Sequence, residues 1–537
     1  MKSVVMTDTS PRIFLFVKDF IGRGDDRFFW VIDDQLVATT PRELVDYRGV
    51  MLCHDFWLVR DEIFDQSGDL PCCVVDLDEM RISISGDPDD RVSREKVNVA
   101  EELRQHGLSS ESCSAYKKMF HRAVEMEPAI AVEVSRAMRR MYLHMVEIAK
   151  ENDEERRYFD LEVPVYQVLQ KAMANGVPID TGRLSEMRED AEFDYFSCLK
   201  NYSARHDMPL ETPSEAAIEA RLFREGFDLT NVSLEYVLDF IPQANQFGPD
   251  TVELWDLDAA RRVLSSLSLT TDRVRPLIDV FGSRTSRVQL RSPPLQNLPK
   301  RYRPIIAARE GRSLSYVDYD QYEVGIMAAL SGDPELNRLY AAGDMYALFA
   351  REYLGMEDGR KAAKQLFLSY AYGMSRQALV DAAVELGVER GLAKAAFKRF
   401  AAYEEWKTSI ATAFEREGRV ATVFGNHFKR KRTGTLSAKE RRSAVSQVVQ
   451  GTASLIFKRA ILEVAELPDV TITLPMHDAL LFEHQSHRTP AQVVAAFESV
   501  MTKELDGRVK GKASVGHFVD PGQKPRDLTS SGTKRSV

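Results

Sequence analysis

Two aspartates far apart in the chain have the setting that metal-assisted phosphoryl chemistry requires. Asp318 lies in YVDYDQYEVGIMAALSGD (Tyr316–Asp333), directly after the apolar run LSYV. Asp478 lies in VTITLPMHDALLFEH (Val470–His484), between two apolar runs that read as a hairpin with the carboxylate at its tip. A carboxylate at the open end of a strand can hold a hard cation. Two Mg²⁺ ions a few ångström apart can activate a hydroxyl nucleophile and stabilise a leaving pyrophosphate. Mg²⁺ takes only one or two protein carboxylates beside phosphate and water, so two aspartates suffice. Between them, GRKAAKQLFLSYAYGMS (Gly359–Ser375) places Arg360, Lys364, Leu368 and Tyr372 four residues apart. That spacing puts them along one helical face. Arg and Lys suit a triphosphate by charge-assisted hydrogen bonds, and Leu368 and Tyr372 offer a surface for a base and sugar. Each piece alone has a plainer reading: a turn or helix-capping Asp, a solvated basic face, an ordinary hairpin turn.

The elements that must position these residues can be read coarsely. Residues 11–85 carry RIFLFV (Arg12–Val17), FFWVID (Phe28–Asp33), GVMLCH (Gly49–His54) and CCVVDL (Cys72–Leu77), which predict short strands with one helix, an α/β unit. Residues 91–155 are helical in texture. Residues 160–205 predict a helix–turn–helix broken at Gly176 and Pro178. Residues 213–280 are mixed helical, 284–519 carry the chemistry, and Asp520–Val537 lacks apolar residues and is expected to be mobile. A chain of 537 residues with 44% hydrophobic content supports about three or four packed units. The formal net charge of −9 does not exclude a polyanion partner, because a groove needs only local positive charge. The run HFKRKRTGTLSAKERR (His427–Arg442) supplies such charge. Cys53, Cys72, Cys73, Cys113 and Cys198 show no metal spacing and read as reduced thiols. The start MKSVVMTDTSPR breaks up too early for a secretory signal, and no run suits a membrane span, so a cytoplasmic protein is expected.

Taken together, the three pieces resemble motifs A, B and C of family A DNA polymerases, the bacterial DNA polymerase I type and its phage relatives. Motif A is Asp318-Tyr319-Asp320-Gln321-Tyr322-Glu323, motif B is Arg360, Lys364, Leu368, Tyr372 and Gly373, and motif C is His477-Asp478-Ala479. TSRVQLRSPPLQNLP (Thr285–Pro299), ERRSAVSQVVQGTAS (Glu440–Ser454) and LEVPVYQVLQKAMANGVPID (Leu161–Asp180) resemble three further family segments, in the right order. The resemblance implies a right-hand polymerase of palm, fingers and thumb, α/β and α+β in class, preceded by a degenerate 3′-5′ exonuclease-like α/β domain. The implied boundaries are 1–155 for that domain, 156–283 for thumb and connection, 284–335 and 436–520 for the palm, 336–435 for the fingers, and 521–537 for a tail. Asp318 and Asp478 resemble the carboxylates that hold two Mg²⁺ ions, with the Tyr319 carbonyl completing one site. Arg360 and Lys364 resemble the triphosphate clamp, and Lys364 the proton donor to pyrophosphate. Tyr372 stands by the templating position, Glu323 resembles the gate against a ribose 2′-hydroxyl, and Gln321 and Tyr346 fall beside the nucleotide. Arg287, Gln296, Asn297, Arg442 and Gln450 resemble residues that test pairing in the minor groove, and His477 the histidine at the primer end. The implied partners are primer-template DNA, dNTPs and other replication proteins, with a monomer, no membrane, and the host cytoplasm as location if the chain is phage-encoded.

Departures from the family pattern set further expectations. Leu368 replaces an aromatic, Tyr346 a phosphate-contacting His, Ala479 a Glu, Gly325 an Arg and Ser446 an Asn. None removes a metal carboxylate or a clamp cation, so activity is expected. At the N-terminus, VMLCHDFWLVRDEIF and CCVVDLDEM faintly resemble the second exonuclease motif. The first strand ends with Asp19 alone, and no Y-x-x-x-D follows around residues 115–140. A scaffold without hydrolysis is therefore expected, against a nuclease that uses Asp55, Asp76 and Asp78 in a changed pattern. The alternatives for the whole chain are a single-subunit RNA polymerase and a non-catalytic DNA-binding replication factor. The sequence does not separate a replicative role from repair or bypass.

Overall fold

Apolar runs near the N-terminus pair as expected. The computed structural model describes residues 11–519 apart from 21, 23, 87–97, 122, 123 and 227–245, where only 234 and 238 are described. The expected mobile tail and the start of the chain lie outside these residues. Strands β1 (Arg12–Val17), β2 (Arg27–Ile32), β3 (Gln35–Thr39), β4 (Met51–Cys53) and β5 (Val74–Asp76) form one sheet in the order β3-β2-β1-β4-β5. β1, β4 and β5 run parallel, while β2 and β3 are antiparallel additions. Ile13 to Val17 are all buried, as a central strand covered on both faces requires. Among the described residues of 11–85 there are three α-helices rather than one: Pro41–Asp46, Arg60–Ser67 and Leu77–Ile84. The difference is in the caps. Thr40 and Glu43 form a reciprocal capping box before Pro41. Asp76 ends β5 and accepts from the Asp78 backbone, which starts a helix where a longer strand is expected.

The helix–turn–helix of residues 160–205 is present as Val163–Asn175 and Thr181–His206. Gly176 turns the chain at φ 66°, and a Cβ there would meet the Val274 carbonyl at 2.9 Å. Short pairs follow, β6 (Val177–Pro178) with β7 (Arg273–Val274) and β8 (Leu277–Asp279) with β9 (Gln289–Ser292). Helices Thr181–His206 and Phe247–Ser266 enclose a second core around Tyr202, Leu222 and Leu254. The chemistry-bearing sheet consists of β10 (Ser313–Tyr319), β13 (Thr471–Met476), β14 (Ala479–His484) and β15 (Ala513–Gly516), in the order β13-β14-β10-β15. β11 (Arg419–Thr422) and β12 (Gly425–Lys429) form a separate hairpin. Helices between residues 322 and 417 gather on Phe349, Phe367, Tyr370, Phe400 and Tyr403.

A buried charge network joins these parts, with no periodic sign of it along the chain. Arg157 donates to Glu154 and, at 2.7 Å, to Glu162, and caps the Ser83 carbonyl. Glu162 also receives Lys458 at 2.7 Å from the helix Ala438–Ala465. Glu154 accepts the backbone N–H groups of Asn426 and His427 on β12. Burial pulls the Lys458 ammonium down to about 8 against the pull of Glu162. Removing one carboxylate would leave buried cations under-compensated, a loss of about 3–5 kcal/mol. Glu162→Ala is therefore expected to lower the first thermal unfolding transition by several degrees, whereas an unshifted melt would deny the network a stabilising part.

Candidate active site

β10 and β14 pair antiparallel with Asp318 opposite Ala479. Asp478 precedes Ala479 in the turn, with His477 at φ 60°, so the register of one strand pair brings the two aspartates together. The alternation of β10 buries Val317 and Tyr319 and leaves Asp318 half-exposed at the strand end. Tyr319 turns its ring into the core, stacks on Tyr322 at 4.1 Å and donates to the Phe497 carbonyl. Any cation contact from Tyr319 would therefore use its main chain. Burial, then the Asp478 and Asp320 charges, pushes Asp318 up to about 6, and Lys364 pulls it back. Burial also raises Asp478, opposed by the Arg287 guanidinium. Two neighbouring, partly buried carboxylates whose proton affinity is raised are a fitting seat for divalent cations.

The stripe of four lies on the helix Arg360–Ala371 and its end residue Tyr372. Arg360 and Lys364 are exposed, and Leu368 and Tyr372 are half-buried. Arg360 donates to Asp344, which caps the preceding helix, Met345–Leu354, by accepting from the Tyr346 and Ala347 backbone. Both cations also lie 5.9 Å from the centre of the Tyr346 ring, which is buried beneath them. Glu323 is held from two sides, by Arg287 at 2.9 Å and by the Tyr372 hydroxyl at 2.5 Å. Its carboxyl is raised by burial against these two partners. The Glu323–Arg287–Tyr372 lock joins three sequence segments and was not legible from any one of them.

The remaining expected site residues are distributed more widely. Ser446 donates to Gln450 at 3.0 Å and so orients an amide expected at the minor groove. Arg442 lies beside Gly373, its side chain 3.3 Å from where a Cβ there would stand. Gln296 accepts from Leu290 N at 3.2 Å, and Asn297 is exposed next to it. His477 is exposed at the hairpin turn, its imidazole shifted down by burial and by Arg287. Gln321, expected beside the nucleotide, is tied to the segment that follows it. Its amide is committed to Gly343 O and Met345 N, so it positions the helix Met345–Leu354. Gly325 is a packing glycine, since a Cβ would stand 2.7 Å from Tyr340, and the family's Arg has no room there. Ala479 is 1% exposed. Within the basic run, His427 is bound to Glu154 and Arg430 to Glu440, so the run is only partly a solvated face. At the N-terminus, Asp19 is taken up by the loop after β1, where it accepts from Gly24 N.

Residues 257–518 match the family described as "DNA polymerase family A". The chain is 26% identical to DNA polymerase I of Aquifex aeolicus over 60% of this chain and 62% of that protein. It is 27% identical to the thermostable DNA polymerase I of Thermus thermophilus over 67% and 47%, and 26% identical to the Rhizobium leguminosarum enzyme over 44% and 26%. The chain thus spans from about a quarter to three fifths of these relatives' lengths. All three are bacterial and lend no support to a phage origin. The fold is similar to the solved "POL domain of Pol1 from M. smegmatis complex with DNA primer-template and dNTP", with a TM-score of 0.70 and 19% identity over 91% of this chain and 92% of that one. The mixed helix and sheet architecture is thus a polymerase fold. Among the described residues, no helix is long and apolar enough to cross a membrane.

Proposed function

Because residues 257–518 match DNA polymerase family A, we propose that this protein extends a primer by template-directed DNA synthesis, adding dNTPs to a 3′-hydroxyl. The observation that carries the reading is the β10–β14 register, which sets Asp318 beside Asp478 while Lys364 bears on Asp318 from the facing helix. Asp318 and Asp478 would hold two Mg²⁺ ions, whose chemistry is activation of the hydroxyl and neutralisation of pyrophosphate charge. Arg360 and Lys364 bind and orient the triphosphate, and Lys364 is placed to give the departing pyrophosphate a proton. Glu323 and Tyr372 shape the pocket for sugar and templating base, with Leu368 on the same face. Arg287, Asn297, Arg442, Gln450 and His477 align the primer-template duplex. In this reading residues 284–335 and 436–520 are the palm, 336–435 the fingers and 156–283 the thumb, and the enzyme works as a monomer in the cytoplasm. Primer extension with dNTPs and with rNTPs in parallel tests it. Extension with dNTPs only is expected, efficient extension with rNTPs would indicate an RNA polymerase, and extension with neither would indicate a non-catalytic DNA-binding factor.

The N-terminal unit acts in this proposal as a scaffold without proofreading. β1 contributes no acid to a metal cluster, and Asp19 serves its own loop. Hydrolysis by two ions needs carboxylates from several strands, and here they would come only from Asp55, Asp76 and Asp78. A mismatched 3′ end is expected to survive in Mg²⁺ or Mn²⁺. Degradation that disappears on Asp76→Ala would establish a rearranged nuclease instead.

A further inference from the structure

Ser286 is the residue before Arg287, and its backbone is held where a serine rarely sits. It adopts φ 63°, in the left-handed region that a side chain disfavours, and it is fully buried. A conformation of that kind persists only where the surroundings fix it. Here they do so from three sides. Ser286 N donates to the Ser283 carbonyl at 2.9 Å. The Ser286 carbonyl accepts the Ser454 hydroxyl from the helix Ala438–Ala465. The Ser286 hydroxyl accepts the Lys458 ammonium at 3.0 Å, from one turn further along that helix. The next residue is fixed too. Arg287 N donates to the Ser283 hydroxyl at 3.0 Å, and Arg287 O accepts Gly282 N at 2.9 Å. From this set main chain the guanidinium reaches Glu323 at 2.9 Å. Its charge also acts on Asp478 and His477.

Lys458 has no exposed surface, and a buried ammonium needs acceptors for its N–H groups. It finds both oxygens of Glu162, at 2.9 and 2.7 Å, and the Ser286 hydroxyl. The Phe281 ring lies 5.0 Å from Nζ. The charged groups that act on Lys458 are Glu162, Arg157 and Glu79. Ion pairing alone would need only Glu162. The further hydrogen bond goes to the hydroxyl that stands next to Arg287. We propose that Lys458 is a positioning residue for Arg287, holding Ser286 in its left-handed turn and so aiming the guanidinium at Glu323. The inference rests on the reading of Glu323 as the gate against a ribose and of Arg287 as a duplex contact. Buried as it is, Lys458 touches neither nucleotide nor duplex itself. Selection of the sugar then depends on a charge in a separate helix as well as on the groups that meet the nucleotide.

The test uses the full chain with Lys458→Met, Ser286→Ala, Arg287→Ala, and Lys458→Met combined with Arg287→Ala. Hydrogen exchange at the Ser286 and Arg287 amides reads the positioning without any catalysis. Lys458→Met and Ser286→Ala are each expected to speed exchange there by about tenfold or more, while β10 and β14 keep their protection. Single-nucleotide extension with dNTP and with rNTP reads the consequence. Glu323 loosened on one side yields to a ribose, so Lys458→Met should lower the preference for deoxyribonucleotides by about three- to tenfold. In the Arg287→Ala background the same substitution should add no further loss, because the two residues act in series. A lysine with a merely structural role would change total rate and melting temperature and leave the ratio alone. Unchanged exchange or an unchanged ratio in folded Lys458→Met overturns the proposal. So does an equal loss of preference from Lys458→Met with and without Arg287. Should Lys458→Met not fold, Ser286→Ala, which keeps the Lys458–Glu162 pair, is read in the same way. If the unaltered chain extends no primer, the polymerase reading fails, and the exchange result alone decides whether Lys458 holds Ser286.

Discussion

Asp318→Ala and Asp478→Ala are each expected to reduce nucleotide addition by about 1,000-fold or more, because each removes one of the two carboxylates proposed to hold the ions. Asp318 ends β10 and Asp478 sits in the β13–β14 turn, and pairing of β10 with β14 fixes their separation without help from a loop. Burial raises both carboxyls. Replacing one therefore removes a buried carboxyl that is costly to ionise and should leave the melting temperature equal or slightly higher. The cations proposed to meet the duplex, Arg287 and Arg442, are untouched, so primer-template affinity should stay within a few-fold at fixed salt. Single-turnover primer extension and a gel-shift titration on the same variants separate the two effects. Substantial residual synthesis in either variant would remove the pair from the reaction, and loss of DNA binding would make it a scaffold for the duplex.

The difference between what was legible and what was not follows from the range of the interactions. Asp318 and Asp478 could be found because each follows an apolar run of period two, and Arg360 to Tyr372 because helical spacing is local. The β1–β4–β5 sheet was readable from its apolar runs, yet the helix at Leu77 was not, because a single capping contact from Asp76 ends the strand. The partners of Gln321 were hidden for a similar reason. Its amide answers Gly343 and Met345, more than twenty residues on, and no pattern in either segment signals that match. The Arg157–Glu162–Lys458 network depends on packing between helices distant in sequence, and charged residues scattered along helices ordinarily read as surface.

Glu323→Ala is expected to raise acceptance of ribonucleotides relative to deoxyribonucleotides by about 10- to 100-fold. Glu323 follows the β10 strand by one turn and is pinned by Arg287 at 2.9 Å and Tyr372 at 2.5 Å. A side chain held from two sides cannot swing away from an added hydroxyl, so the clash must be absorbed as strain. Overpacking of this kind costs about 1–3 kcal/mol, and each 1.36 kcal/mol is tenfold in rate, which gives the expected range. Truncation opens the space and also frees the Tyr372 hydroxyl, so some loss of overall rate should accompany the loss of discrimination. Glu323→Gln separates volume from charge. It keeps the bulk and can still accept from Tyr372, and it should retain most of the preference for deoxyribonucleotides. An unchanged ratio in Glu323→Ala would move the gate elsewhere on the Leu368–Tyr372 face. If Glu323→Gln relaxed selection as far as Glu323→Ala, the discrimination would rest on the carboxylate's charge and its hold on Arg287 rather than on the space it fills.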